Sequence, residues 1–186
     1  MKGYIYTMYA GADPGYGWSM NDPIFGPVPT LGACVPNIRR AVEKGDFVFV
    51  ISGRIPGERQ FVVGGFKVAQ KISSLSAHRR FPENRLRLTP DGQVVGNVIV
   101  KSDGTQHALD THSNFANRVE NYLVGCDASY FETHTQYTAA RSDTLGVLSD
   151  VFNKEGQRVF DIIGRYRKME SNQVTQLLEW IQSIKS

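Results

Sequence analysis

The segment TQHALDTH, residues 105 to 112, carries His107, Asp110 and His112. Their types and spacing could hold a divalent metal, with His134 as a fourth donor. The same residues fit a plainer role, in which Asp110 caps a following helix and the histidines lie on its rim. Cys34 stands just ahead of Pro36 at a predicted helix start, a position that favours a thiolate. No His–Asp partner set for it is legible, and a small buried cysteine is the commoner case. Gly11, Gly15 and Gly17 punctuate one loop, but no Gly-Lys-Ser/Thr follows, so they form no P-loop. Arg79, Arg80, Arg85 and Arg87 crowd a polar stretch, where they could bind phosphates or simply make a solvated loop face. No catalytic set is complete among these candidates. The sequence is therefore assigned no catalytic residue, no metal and no cofactor, and binding is expected in preference to turnover.

Positioning such groups needs a core. At 186 residues, with 41% hydrophobic and 21% charged residues, the chain has globular proportions and is expected to form a single domain, 1–186. A net charge of +3 permits a nucleic-acid or nucleotide partner without demanding one. Two cysteines, Cys34 and Cys126, without a CxxC argue against a disulfide framework, so a reducing, cytoplasmic setting is expected. No apolar stretch approaches the ~20 residues of a membrane span, and no membrane partner is expected.

The patterning predicts a strand over residues 3 to 10 and a long Gly/Pro-rich loop over 11 to 33. A short helix should begin at Pro36 and give way to Lys44-Gly45-Asp46, a turn that leads into an apolar strand, residues 47 to 51. A second strand, 60 to 72, returns as a hairpin, and its Gly64-Gly65 pair predicts a bulge or bend. Further expectations are a strand over 94 to 100, a helix near 113 to 124, and a largely helical C-terminal segment. That segment ends in a stripe of Val174, Leu177, Leu178, Ile181 and Ile184 behind the cap candidate Ser171. The fold expected from these elements is α+β or a partly open barrel.

The order helix, Gly45-Asp46, "FVFVISG", turn, "FVVGGFKVAQKI" resembles the PUA-like superfamily, to which EVE, ASCH and YTH domains belong. The loop "NDPIFGPVPTLGACVPNIRRA", with "GNVIV" and "HSNFANRVENYLVG", is similar to a narrower set, the nucleotide-modification-associated domains. The resemblance covers residues 1 to about 130. It implies an α+β fold of PUA-like type: a small curved β-barrel with flanking helices, here with a helical C-terminal extension over about 140–186. It also implies a reader of a modified nucleobase or nucleotide, in nucleic acid or free, linked to DNA or RNA modification or to phage defence. Carried onto this chain, the pocket of such readers falls on Trp18, Ser19 and Asn21, then on Ser52, Gly53 and Arg54. A base offers π faces and a hydrogen-bonding edge, which an aromatic and a few amides or hydroxyls can meet. Arg79, Arg80, Arg85 and Arg87 would then take phosphate.

Two other functions compete with such a binding module. One is an enzyme acting on nucleotides or nucleic acid through His107, Asp110 and His112. The other is an adaptor whose C-terminal helices recruit a nuclease or modifying enzyme, or pair with a second copy in a homodimer.

Overall fold

Alternating aromatic and smaller residues make GYIYT the first strand, β1 (Gly3–Thr7). The computed structural model describes residues 1–186. After β1 come β2 (Thr30–Leu31), α1 (Pro36–Ala41), β3 (Phe47–Ile51), β4 (Val62–Ile72) and α2 (Ser74–Arg80). Then follow β5 (Arg87–Leu88), β6 (Val94–Val95), β7 (Tyr122–Tyr130) and α3 (His134–Phe152). The chain closes with α4 (Val159–Ile163), β8 (Tyr166–Met169) and α5 (Ser171–Lys185). The class is α+β: a mixed six-stranded sheet in the order β2-β7-β4-β3-β1-β8, a two-stranded sheet of β5 and β6, and five α-helices.

The expected closure into a barrel does not occur. β8 pairs antiparallel with β1, from Gly3 opposite Met169 to Tyr6 opposite Tyr166, and takes the side of β1 away from β3. At the other end β2 is two residues long, with Thr30 and Leu31 paired to Val124 and Leu123 of β7. The ladder therefore stops at two edges.

The hairpin follows from its sequence. Every residue of β3 is buried, as an apolar run covered on both faces should be. β4 returns antiparallel to it, with a bulge between Val50 and Ile51 where Gly64 and Val62 lie opposite. The turn before β3 also ties two strand starts together, because Asp46 Oδ1 accepts a hydrogen bond from the Lys2 backbone N–H at 2.9 Å.

Two other expectations are corrected. The helix expected near 113–124 is a single 3₁₀ turn, Phe115–Asn117, followed directly by β7. Asn114 and Asn121 adopt φ of 60° and 58°, which an α-helix cannot contain. Moreover, the carbonyls of Arg118, Glu120 and Asn121 accept from the Arg39 guanidinium instead of from a helical turn. The strand expected over 94–100 is cut to Val94–Val95, and Val98 and Val100 make only isolated bridges. The cut falls at Gly96, with φ of 105° and space for a Cβ only 2.6 Å from the Arg85 carbonyl oxygen.

The chain forms two compact units. The first comprises Met1–Ser19, Gly45–Lys67 and Asp127–Ser186. There β1 lies between β3 and β8, with α3, α4 and α5 in the same unit, and Ile5, Phe49, Phe66, Leu148, Val174, Leu177 and Ile181 are among its buried residues. Leu178 and Ile184 of the expected stripe are only partly buried. The cap of α5 is Glu170, in a reciprocal box with Gln173, and Ser171 is the first helical residue. The second unit comprises Met20–Lys44 and Val68–Cys126. Its core gathers Ala77, Phe81, Val98, Val100, Tyr122 and Val124, with Ile72, Phe115 and Val119 against them. No helix is long and apolar enough to cross a membrane.

Candidate functional site

In the first unit β1 and β3 run parallel, so both chains emerge on the same side. Open sheets characteristically bind ligands at the carboxyl ends of parallel strands, where loops rather than further ladder fill the space. The two exits here are laced together: Met8 N–H donates to Ile51, Gly11 N–H to Arg54 and Gly53 N–H to Ala12. A cavity of about 430 Å³ lies beyond them. Met8 and Ala10 from the β1 exit, Leu145 of α3, and Val159 and Phe160 of α4 supply its apolar lining. Arg54, Arg59 and Arg158 bring positive charge to it, against one carboxylate, Glu58. Thr7 also lines it, and the shielded Thr7 hydroxyl has no partner in the protein. Arg158 is held by Asp161 at 2.9 Å, whereas the guanidinium groups of Arg54 and Arg59 bond to no other side chain or carbonyl.

A buried clamp fixes this end of the sheet. Arg141 of α3 grips the fully buried Asp13 in a fork, Nη2 to Oδ1 at 2.9 Å and Nη1 to Oδ2 at 3.0 Å. The same guanidinium lies 4.6 Å over the Phe61 ring and 5.5 Å over Tyr16, and it also donates to the Arg59 carbonyl. One cation thus positions the loop after β1 and the backbone of a cavity residue. The neighbouring Glu58 carboxylate raises the Tyr16 phenol pKa above its ordinary value.

Comparison with known protein families, curated proteins and solved structures finds no match to this chain. The site is therefore argued from its geometry.

Of the six ligand residues expected from the sequence, Arg54 lines the cavity. Trp18 stands close by in the first unit, half-buried, with its ring edge-on to Tyr9 at 5.4 Å. Ser19 is exposed. Asn21 belongs to the second unit, where its amide donates to the Val94 carbonyl at 3.4 Å. Ser52 is fully buried, its hydroxyl accepts from Phe61 N–H at 3.0 Å, and its carbonyl accepts from Gln60 at 2.8 Å, so it stitches the end of β3 to the returning chain. Gly53 allows that lacing, because a Cβ there would lie 1.9 Å from the Tyr9 carbonyl oxygen. Thr7, Arg59 and Phe160 went unread. Arg59 sits in the legible turn RIPGER, but nothing local marks Thr7 or Phe160, which meet only through the fold.

In the second unit the arginine cluster is largely committed. Arg80 donates to Gln70 at 2.7 Å and lies over Phe81, Arg85 donates twice to the His78 carbonyl, and Arg87 donates to the Glu83 carbonyl. Arg79 is exposed and makes no such bond. His112 Nδ1 lies 2.6 Å from Asp110 Oδ1, while His107 Nδ1 accepts from Leu109 N–H. His107, Asp110, His112 and His134 are not gathered as a metal site, and no other group of three His, Cys, Asp or Glu is. The surroundings of Cys34 disfavour a thiolate. Burial and the adjacent Asp22 carboxylate push its thiol well above the ordinary range. Asp22 itself accepts from the backbone N–H of Gly32, Ala33 and Cys34 and from Asn97, so it serves as the pin of the long loop. A broad groove of this unit contains Lys44, Lys71 and Arg80, but Lys71 already donates to the Arg40 and Val42 carbonyls.

Proposed function

We propose that this chain is a binding module for a modified nucleobase or nucleotide, free or within nucleic acid, and that the cavity beyond β1 and β3 receives it. The observation that carries this reading is the union, in one cavity, of apolar walls, an unpartnered Thr7 hydroxyl and two uncommitted arginines. Its volume, about 430 Å³, falls in the range of small-molecule sites. A base supplies the apolar faces and polar edge, and its phosphate supplies the negative charge for Arg54 and Arg59. The cavity lining contains no histidine or cysteine and a single carboxylate, Glu58. Its chemistry therefore favours holding a ligand over transforming one. The PUA-like relationship and a role in DNA or RNA modification or phage defence belong to the same proposal. Their support is the order α1, Gly45-Asp46, β3 and antiparallel β4.

The test is calorimetric titration with a panel of plain and modified nucleoside 5′-monophosphates. A charge-assisted hydrogen bond contributes about 1.5–3 kcal/mol, so Arg54→Ala and Arg59→Ala should each weaken the best ligand about tenfold or more without unfolding the protein. Thr7→Val should narrow the difference between bases that present different edges. Undiminished binding to the folded Arg54→Ala, Arg59→Ala double variant would take the ligand out of this cavity.

A further inference from the structure

The six-stranded sheet ends in β2 and β8. β2 is two residues long, whereas β8 runs from Tyr166 to Met169 with only β1 beside it. The hydrogen bonds of β1 show which groups of β8 are used. The Lys2 carbonyl accepts from Phe47 N–H and Met8 N–H donates to the Ile51 carbonyl, so the even-numbered residues of β1 turn their backbone groups to β3. The odd-numbered ones turn to β8, and Thr7 N–H accordingly donates to the Arg165 carbonyl. Carried along the register from Gly3 opposite Met169 to Tyr6 opposite Tyr166, this alternation gives Arg167 and Met169 to β1. The N–H and C=O groups of Tyr166 and Lys168 therefore point away from the sheet, and no group of the protein bonds them. The side chains of Tyr166 and Lys168 share the face opposite that of Arg167. Arg167 donates to the Ile162 carbonyl of α4 and lies over Phe152 of α3, so those helices cover its face. On the other face Tyr166 is 51% exposed and the Lys168 side chain 49%, which leaves both free to meet a partner.

We infer that β8 pairs antiparallel with the β8 of a second copy about a two-fold axis through Arg167, so that the sheet runs on from one subunit into the other. The free groups fix the register, because outward-pointing residues must face each other. Pairing Lys168 with its own copy sets two ammonium groups together and puts Tyr166 opposite Glu170, beyond the end of β8. Pairing Tyr166 with its own copy puts Lys168 opposite Gly164, before the start of β8. Only the register with Tyr166 opposite Lys168 of the partner subunit uses every free backbone group of both strands. A lysine on an edge strand ordinarily discourages pairing. In this register each ammonium instead meets an exposed tyrosine ring, which attracts it. Arg167 faces its own copy, but its guanidinium is kept within its own subunit by Ile162 and Phe152. Closed two-fold pairs are also the commonest assembly of identical chains. A contact of one short edge buries little area, so the pair is expected to come apart on dilution.

The test is sedimentation velocity on the full chain across a wide concentration range, with hydrogen exchange of individual amides at both ends of that range. The chain is expected to pass from monomer to dimer as concentration rises. The amides of Tyr166 and Lys168 should become protected as it does, while those of Arg167 and Met169, bonded to β1, stay protected throughout. Tyr166→Lys sets two cations opposite each other and should leave the chain monomeric; adding Lys168→Glu to it should restore the dimer. Should either variant lose its fold, Lys168→Pro gives the same comparison, since it removes only an outward N–H at an edge and should also yield a monomer. A chain monomeric at every concentration would overturn the inference, whatever else can bind this edge. So would a dimer whose Tyr166 and Lys168 amides exchange as fast as in the monomer, a dimer that Tyr166→Lys leaves intact, or a folded Tyr166→Lys, Lys168→Glu variant that stays monomeric.

Discussion

The two units use arginine in opposite ways. In the second, Arg39 is completely buried and its guanidinium donates to four backbone carbonyls, those of Cys34, Arg118, Glu120 and Asn121. Arg85 and Arg87 likewise face carbonyls. In the first unit Arg141 plays the structural part, and the guanidinium groups of Arg54 and Arg59 are left without a bond inside the protein. The difference teaches where to look for a ligand. A guanidinium already surrounded by acceptors gains nothing from phosphate, whereas one beside a cavity with only water around it does.

The largest effect should come from the buried cation. Arg39→Leu leaves several interior carbonyls without donors, and a loss of about 3–5 kcal/mol is expected from the unfolding midpoint in denaturant. A loss below about 1 kcal/mol would show that the carbonyls find other donors and would weaken the contrast between the units. The next effect is one of pH. Tyr122 is buried, its hydroxyl donates to Asn97 Oδ1 at 2.6 Å, and its pKa is pushed up to about 12, chiefly by burial. The unfolded chain releases that proton near pH 10, about two units earlier. Between these values the folded state binds more protons, so stability falls as pH rises, in all by a few kcal/mol. Tyr122→Phe should flatten that alkaline limb while lowering stability at neutral pH. An unchanged slope in thermal melts from pH 9 to about 12 would assign the limb to other groups. The smallest effect is expected at Arg79, the one member of its cluster without a bond. Arg79→Ala should change stability by less than about 0.5 kcal/mol. If the phosphates sit at Arg54 and Arg59, it should also lower the salt dependence of oligonucleotide binding by well under the one unit that a lost contact removes. A full unit would show that the second unit also binds phosphate and would erase the distinction.

What the sequence showed was local. The run Phe47–Ile51, its antiparallel return and the stripe of Val174, Leu177 and Ile181 each carry their period within a few residues. β8 escaped notice because YRKM has no apolar run; it is a strand on account of β1 beside it. The mistaken helix at 113–124 shows the same thing from the other side. Phe115, Val119, Tyr122 and Leu123 have a helical period, yet Arg39, about 80 positions earlier, takes the carbonyls that a helix would need. At the candidate site Arg54 was legible as the residue that follows a buried strand. The clamp beside it joins Asp13 to Arg141 across 128 positions, a distance over which no motif runs.

Pairing of β1 with β8 has a consequence for how the protein is made. Tyr4 faces Lys168 and Ile5 faces Arg167, so β1 finds one of its two neighbours only after everything from β2 to α4 has been synthesised. Until then the outer edge of β1 is bare, its amides and carbonyls open to any extended segment in reach. Pairings this distant in sequence are slow to form. The nascent protein is thus exposed to wrong partners while those elements are made, and the clamp that shapes the ligand end cannot close before Arg141 has emerged.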